Sequence, residues 1–239
     1  VAGVYCEPVE WYPIAIRQVF IQFRLILPET PKAQTIVIRN LFYISAFLLC
    51  FLVYWEYYSG EVEHEPGVLV AEQPVQQTVG SSVFRLDDFI ITRRARFEIR
   101  ARVLSTERYY LDGGSNLSPI DLALGWGPMS DQAVLDQMKI SQSGRWYRTR
   151  YDYPEPIPQQ LLISSSSNMH MIPANSGIEK RLKKLRVGEV VILQGYLVDA
   201  DDDSGWHWRT SLTRNDTGNG ACELVYVESM RVDNLAGKG

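Results

Sequence analysis

Beyond residue 82 this 239-residue chain is a series of short, alternating apolar and polar runs, and before that point lies one unbroken apolar block. The block, Asn40 to Trp55, reads NLFYISAFLLCFLVYW and contains no charge. At 1.5 Å per residue it spans roughly 24 Å as a helix, somewhat short of a ~30 Å hydrocarbon core. Ile36, Val37 and Ile38 extend it on one side. Trp55, Tyr57 and Tyr58 suit a headgroup region on the other. Residues 40–58 therefore predict a single transmembrane helix.

The later runs predict strands. Phe97 to Val103 alternates, placing Phe97, Ile99, Ala101 and Val103 on one face. Further strands are predicted at 107–111, 144–151, 160–164, 189–198, 206–214 and 223–232, with Gly195 as a bulge or close-approach point. Helices are predicted at 130–138, capped by Ser130, and at 177–185, capped by Ser176. The pattern is mostly β (α+β). Strands, one helix, then more strands in hairpin succession fit a small, partly open β-barrel. In the oligonucleotide/oligosaccharide-binding (OB) type, the helix falls between the third and fourth strands.

Charge gives the helix a direction. Arg17, Arg24, Lys32 and Arg39 precede it; Glu56, Glu61, Glu63, Glu65 and Glu72 follow, with no base until Arg85. Cations concentrate on the cytoplasmic side of membrane helices. Residues 1–39 are thus expected in the cytoplasm and everything after about 58 outside it, which for a bacterial chain means an inner-membrane anchor and a periplasmic domain. The stretch EYYSGEVEHEP lacks a small-x-small cleavage site, so the block reads as an uncleaved anchor rather than a signal peptide. The chain opens on Val1 and has no Met before Met129, and residues 1–30 receive no role. Residues 59–82, acidic and holding Pro66 and Pro74, read as a linker, with His64 solvated between two glutamates. A β-rich domain is expected over 83–233 and a tail over 234–239.

Over residues 81–239 acids and bases balance. That excludes nucleic-acid binding of the electrostatic kind. Of Cys6, Cys50 and Cys222, only Cys222 would reach an oxidising compartment, so no disulfide is expected there. Asp199, Asp201 and Asp203 imitate a calcium loop, but glycine falls at 205 and Thr at 210 where a bidentate Glu belongs. Neither a metal nor a cofactor is expected.

The runs SPIDLALGWGPMSD (118–131), ISQSGRWY (140–147), SNMHMIPA (167–174) and SLTRNDTGNGACE (211–223) resemble blocks from a group of bacterial hypothetical proteins. Those proteins are small, carry one N-terminal hydrophobic segment, and have no assigned activity. The resemblance covers about residues 95–230 and implies an envelope protein. It transfers no catalytic residue.

Candidate chemistry comes from the residues. Trp126, Trp146, Trp206 and Trp208 supply flat apolar faces near polar turns, as a sugar or peptide platform needs, and equally as core plugs would. Trp206 and Trp208 share one strand face, His207 and Arg209 the other. The expected ligand surface is Trp126, Arg145, Trp146, His170, Trp208, Thr213, Asn215 and Asp216, in a non-catalytic binding or assembly module for an envelope ligand or protein partner. Two alternatives stand beside it. One is a thiol hydrolase or transferase using Cys222 as nucleophile, His170 as base and Asp216 as orienter. The other is an accessory subunit of a larger membrane complex.

Overall fold

The computed structural model describes residues 30–213 and 222–233, in two compact units divided at Ser59/Gly60. The first unit contains helix α1, Pro31–Ser59. Its stretch Gln34–Trp55 is long and apolar enough to cross a membrane, and none of those residues is buried. Phe42, Phe47, Leu49 and Leu52 are among its exposed side chains. Such a surface has no stabilising environment in water.

The second unit is mostly β. Its elements are β1 (Val75–Leu86), β2 (Phe89–Arg108), β3 (Ile120–Gly125), a 3-10 turn (Gly127–Ser130), α2 (Gln132–Leu135), β4 (Met138–Ser143), β5 (Trp146–Tyr151), α3 (Gln159–Ser164), β6 (Ser166–Pro173), α4 (Ser176–Leu182), β7 (Val190–Asp202), β8 (His207–Trp208) and β9 (Glu223–Val232). Seven strands form one sheet in the order β1-β2-β3-β6-β9-β7-β8. An additional β2–β7 pairing joins β2, β3, β6, β9 and β7 into a ring. All ring pairings are antiparallel except β6–β9. Closure is partial. The first half of β2 pairs with β1 rather than β3, and the end of β7 pairs with β8 rather than β9. The ring opens at that end and is not a true barrel.

The ring's interior holds the main core: Phe97, Ile99, Ala101 and Val103 from β2, Leu122 and Leu124 from β3, Met169 and Met171 from β6, Leu193 from β7 and Val225 from β9. The predicted face of β2 is therefore its buried face. Gly195 is a close-approach point, as expected: a Cβ there would sit 1.9 Å from the Tyr226 carbonyl oxygen, beside a register shift between Gln194 and Gly195.

Several local expectations change. Residues 160–164 form helix α3, because a short apolar run such as LLIS does not distinguish strand from helix by periodicity. The strand expected at 206–214 shrinks to His207–Trp208. Each helix is capped one residue away from the expected position. Asp131 accepts from Ala133 N–H, and Asn175 accepts from Gly177 and Ile178 N–H. Residues 60–74 are not a loose linker. Val62 N–H donates to Val187 O at 2.8 Å, Val70 is fully buried between the Ser130 hydroxyl and Gly127 N–H, and β1 begins at Val75. His64 is half-buried, with Nε2 2.8 Å from Gly188 O. Apolar residues in this strap are sparse, so its pattern conceals packing achieved largely through backbone hydrogen bonds.

Candidate functional site: a polar seam outside the ring

The outer face of the ring is also covered. On one side Ile91, Leu117, Ile172, Val198, Ala200 and Leu224 pack with Trp206 and Trp208. On the other, Leu104, Ala123, Met129, Met138 and Leu162 pack with Ile140, Tyr147 and Tyr151 of the β4–β5 hairpin. Between these clusters runs a polar seam contributed by β3, β6, the β2–β3 loop and the hairpin tip. Alternation explains its origin. Asp121 and Ala123 face outward from β3, as Asn168, His170 and Ile172 do from β6, while their neighbours fill the interior.

Arg145 is its centre. The β4–β5 connection is the two-residue turn Gly144-Arg145, with φ of +59° and +69°. Both values lie in the left-handed region, as a type I′ hairpin requires, and a non-glycine residue there is strained. The strain is offset by what the side chain reaches. Nε and Nη2 donate to the two oxygens of Asp112, each at 2.9 Å. Nη1 donates to Asp121 at 2.7 Å and Nη2 to Ser118 O at 2.9 Å. The guanidinium carbon lies 3.7 Å from the Tyr109 ring centroid and 5.4 Å from that of Trp208. Arg145 N–H donates to the Tyr109 hydroxyl, and Arg145 O accepts from Asn168 Nδ2.

Asp121 is fully buried and also faces His170, whose Nδ1 is 2.9 Å from Oδ2. That contact is close but not aligned as a hydrogen bond, and among the described residues neither atom has another hydrogen-bond partner. The His170 ring packs on Trp208 at 4.5 Å between centroids. Trp208 in turn lies over Gly114, where a Cβ would come within 2.9 Å of the indole. Electrostatics follow the geometry. Burial alone would lower the Arg145 pKa, but the hydrogen bonds and charges of Asp112 and Asp121 hold it above its ordinary value. The Arg145 hydrogen bonds keep Asp112 below the usual carboxylate range. Desolvation pushes the Tyr109 phenol up to about 12.

The expected ligand residues separate into groups. Arg145, His170 and Trp208 do come together, in this seam. Trp126 does not: it is a core side chain, 1% exposed, whose indole N–H donates to Gln73. Trp146 stays exposed on the hairpin. Thr213 N–H donates to the Ser211 hydroxyl. Asn215 and Asp216 lie outside the described residues. Cys222 is half-buried beside Asn168, with Nδ2 3.9 Å from Sγ. The β6–β9 register sets His170 opposite Leu224, which puts Cys222 one step back on the same face.

Asp112, Asp121, Tyr109 and Asn168 were missed from sequence. Asp112 sits in a turn-like DGGSN run and Asp121 inside an apolar one, and neither position signals an arginine 24 or more residues away. The three carboxylates of the calcium-like run are each matched to an arginine: Asp199 to Arg94, Asp201 to Arg209 and Asp203 to Arg85. Among the described residues no group of His, Cys, Asp and Glu is arranged to hold a metal.

Next to the seam lies an open groove of about 500 Å³ bordered by Tyr109, Tyr110, Asn116, Asn175 and Lys183. Comparison with protein-family models, with curated proteins and with solved structures finds no match for this chain.

Proposed function

We propose that this chain is a single-pass, membrane-anchored binding or assembly module of the bacterial envelope, with its β unit on the far side from the cytoplasm and no catalytic role. The anchor rests on the exposed apolar surface of α1, and the orientation on the cations before it and the carboxylates after it. An OB-like fold is part of the same reading. Taken along the chain, the ring strands are β2, β3, β6, β7 and β9, helix α4 falls between the third and fourth, and the third and fifth run parallel. OB folds bind ligands over their second and third strands and the loops beside them. Here that face is roofed by the β4–β5 hairpin, so binding belongs to the adjoining groove at Tyr109, Tyr110 and Asn116.

One observation carries the non-catalytic reading. Four of the five Arg145 N–H donors are engaged by protein acceptors, and His170 is held between Asp121 and Trp208 at 3% exposure. This is a latch pinning the hairpin to the ring, not a set of groups awaiting substrate. The thiol-enzyme alternative keeps one observation in its favour, the half-buried Cys222 sharing a strand face with His170. Alkylation of Cys222 in the full chain separates the two. A thiol that reacts only slowly, with an apparent pKa at or above ~8.5, supports the module. Rapid labelling well below that value, with loss of cellular function in Cys222→Ser, overturns it. Topology is tested separately, by an impermeant maleimide on Leu111→Cys in a background where Cys6, Cys50 and Cys222 are Ser. Leu111 is 98% exposed, so labelling from the cytoplasmic side would refute the orientation.

A further inference from the structure

The two faces of the β4–β5 hairpin differ in kind. The inner face, Met138, Ile140, Gln142, Tyr147, Thr149 and Tyr151, packs toward the ring and is buried or half-buried. The outer face pairs Lys139 with Arg150, Ser141 with Arg148 and Ser143 with Trp146, all of them exposed. Lys139 and Arg150 are therefore like charges directly across a two-stranded ladder, an arrangement that destabilises a sheet. Arg148 adds a third cation two residues along. No carboxylate lies on this face. Asp136, Asp152 and Glu155 are beyond the open end of the hairpin, and among the described residues none forms an ion pair with Lys139, Arg148 or Arg150. Trp146, 43% exposed, stands at the same end as the turn. A sheet face that keeps uncompensated repulsion and an exposed indole departs from local folding rules in the way functional surfaces do.

We propose that this outer face is a docking surface for anionic lipid headgroups, with Lys139, Arg148 and Arg150 meeting phosphates and Trp146 entering the headgroup layer. The proposal rests on the membrane-anchor reading above. Charge complementarity selects an acidic partner, and the indole selects a boundary between polar and apolar phases, which a soluble polyanion does not offer. Covalent attachment to a bilayer-spanning helix would keep the β unit at high effective concentration beside such a surface. Even weak headgroup contacts then shift the population toward the docked state.

The test uses the full chain in nanodiscs of neutral lipid and of neutral lipid mixed with phosphatidylglycerol, both carrying a brominated lipid that quenches tryptophan. The difference between the wild type and Trp55→Phe reports the helix; the difference between the wild type and Trp146→Phe reports the hairpin. The expected result is quenching of the Trp55 signal in both discs and of the Trp146 signal only in the anionic ones. Lys139→Glu, Arg148→Glu and Arg150→Glu together should abolish the latter, weakening the docked state about a hundredfold. Charge reversal of Lys180, Arg181 and Lys184 on and after α4 should leave it intact. Trp55 quenched with Trp146 unaffected by anionic lipid overturns the docking surface and leaves the anchor standing. Trp55 unquenched overturns the anchor itself. Shielding of Trp146 from aqueous quencher by a soluble acidic polymer in neutral discs, without any effect of phosphatidylglycerol, assigns the face to an acidic macromolecule and overturns the lipid proposal.

Discussion

Truncating Arg145 to alanine removes the guanidinium that pairs with Asp121. That carboxylate is fully buried, so its charge loses a partner at 2.7 Å and gains no water. Breaking a buried ion pair by deleting one member costs about 3–5 kcal/mol. The cation–π contact with Tyr109 adds about 1 kcal/mol. The Asp112 pair is more than a third exposed and adds little. Alanine keeps the left-handed strain at this turn position, so no relief offsets the loss. The sum is about 5 kcal/mol, a large part of the stability of a typical domain. With an m-value near 2 kcal/mol/M, the urea midpoint of the β unit should fall by about 2.5 M. The assay is urea unfolding of the full chain in detergent, followed by near-ultraviolet circular dichroism. Arg145→Lys, which keeps the charge but loses the planar fork, should cost about half as much. In a double-mutant cycle with Asp121→Asn, the coupling energy should be about 2–3 kcal/mol, because the double variant no longer buries an unpaired charge. A cost below about 1 kcal/mol for Arg145→Ala, or a coupling near zero, would refute the latch.

Other substitutions and titrations probe the same frame. Gly195→Ala puts a methyl 1.9 Å from the Tyr226 carbonyl and should force β7 and β9 apart, at a cost of about 3 kcal/mol in the same unfolding assay. Trp126→Ala empties a fully packed core position and should cost about 3–5 kcal/mol; a cost near zero would reopen a surface role for this residue. The lowered pKa of Asp112 means that its contribution is complete above the ordinary Asp value near 4 and is lost as pH falls through its folded value. The difference in midpoint between the wild type and Asp112→Asn should thus persist from about pH 7 to 5 and shrink below about pH 4. Tyr109 has the opposite sense. Its phenol is raised to about 12, so the stability linked to its neutral form is present below pH ~10 and is lost from there through 12. Phenolate absorbance should show one tyrosine fewer titrating near pH 10 when Tyr109→Phe is compared with the wild type unfolded, but no fewer when both are folded.

Periodicity found the elements that bury a single clean stripe. β9 matches its expected bounds, and β7 and the inward face of β2 were legible because alternation records which side meets the core. Four strands escaped. β1 is mostly exposed and has no buried stripe, and β4 is short. β3 and β6 are covered on both faces and therefore lack alternation. The candidate site was half legible. Arg145, His170 and Trp208 stood out by residue type, but their carboxylate partners did not.

By itself the sequence determined the apolar helix and the predominance of β structure, since each depends on local composition. Tertiary structure alone decided that β2 and β7 pair to close a ring and that Arg145 meets Asp112 and Asp121. It also decided that Lys139 faces Arg150 across a bare ladder. Those facts arise from register between segments tens of residues apart, and register is fixed by the collective burial of many side chains, which no single window of sequence contains.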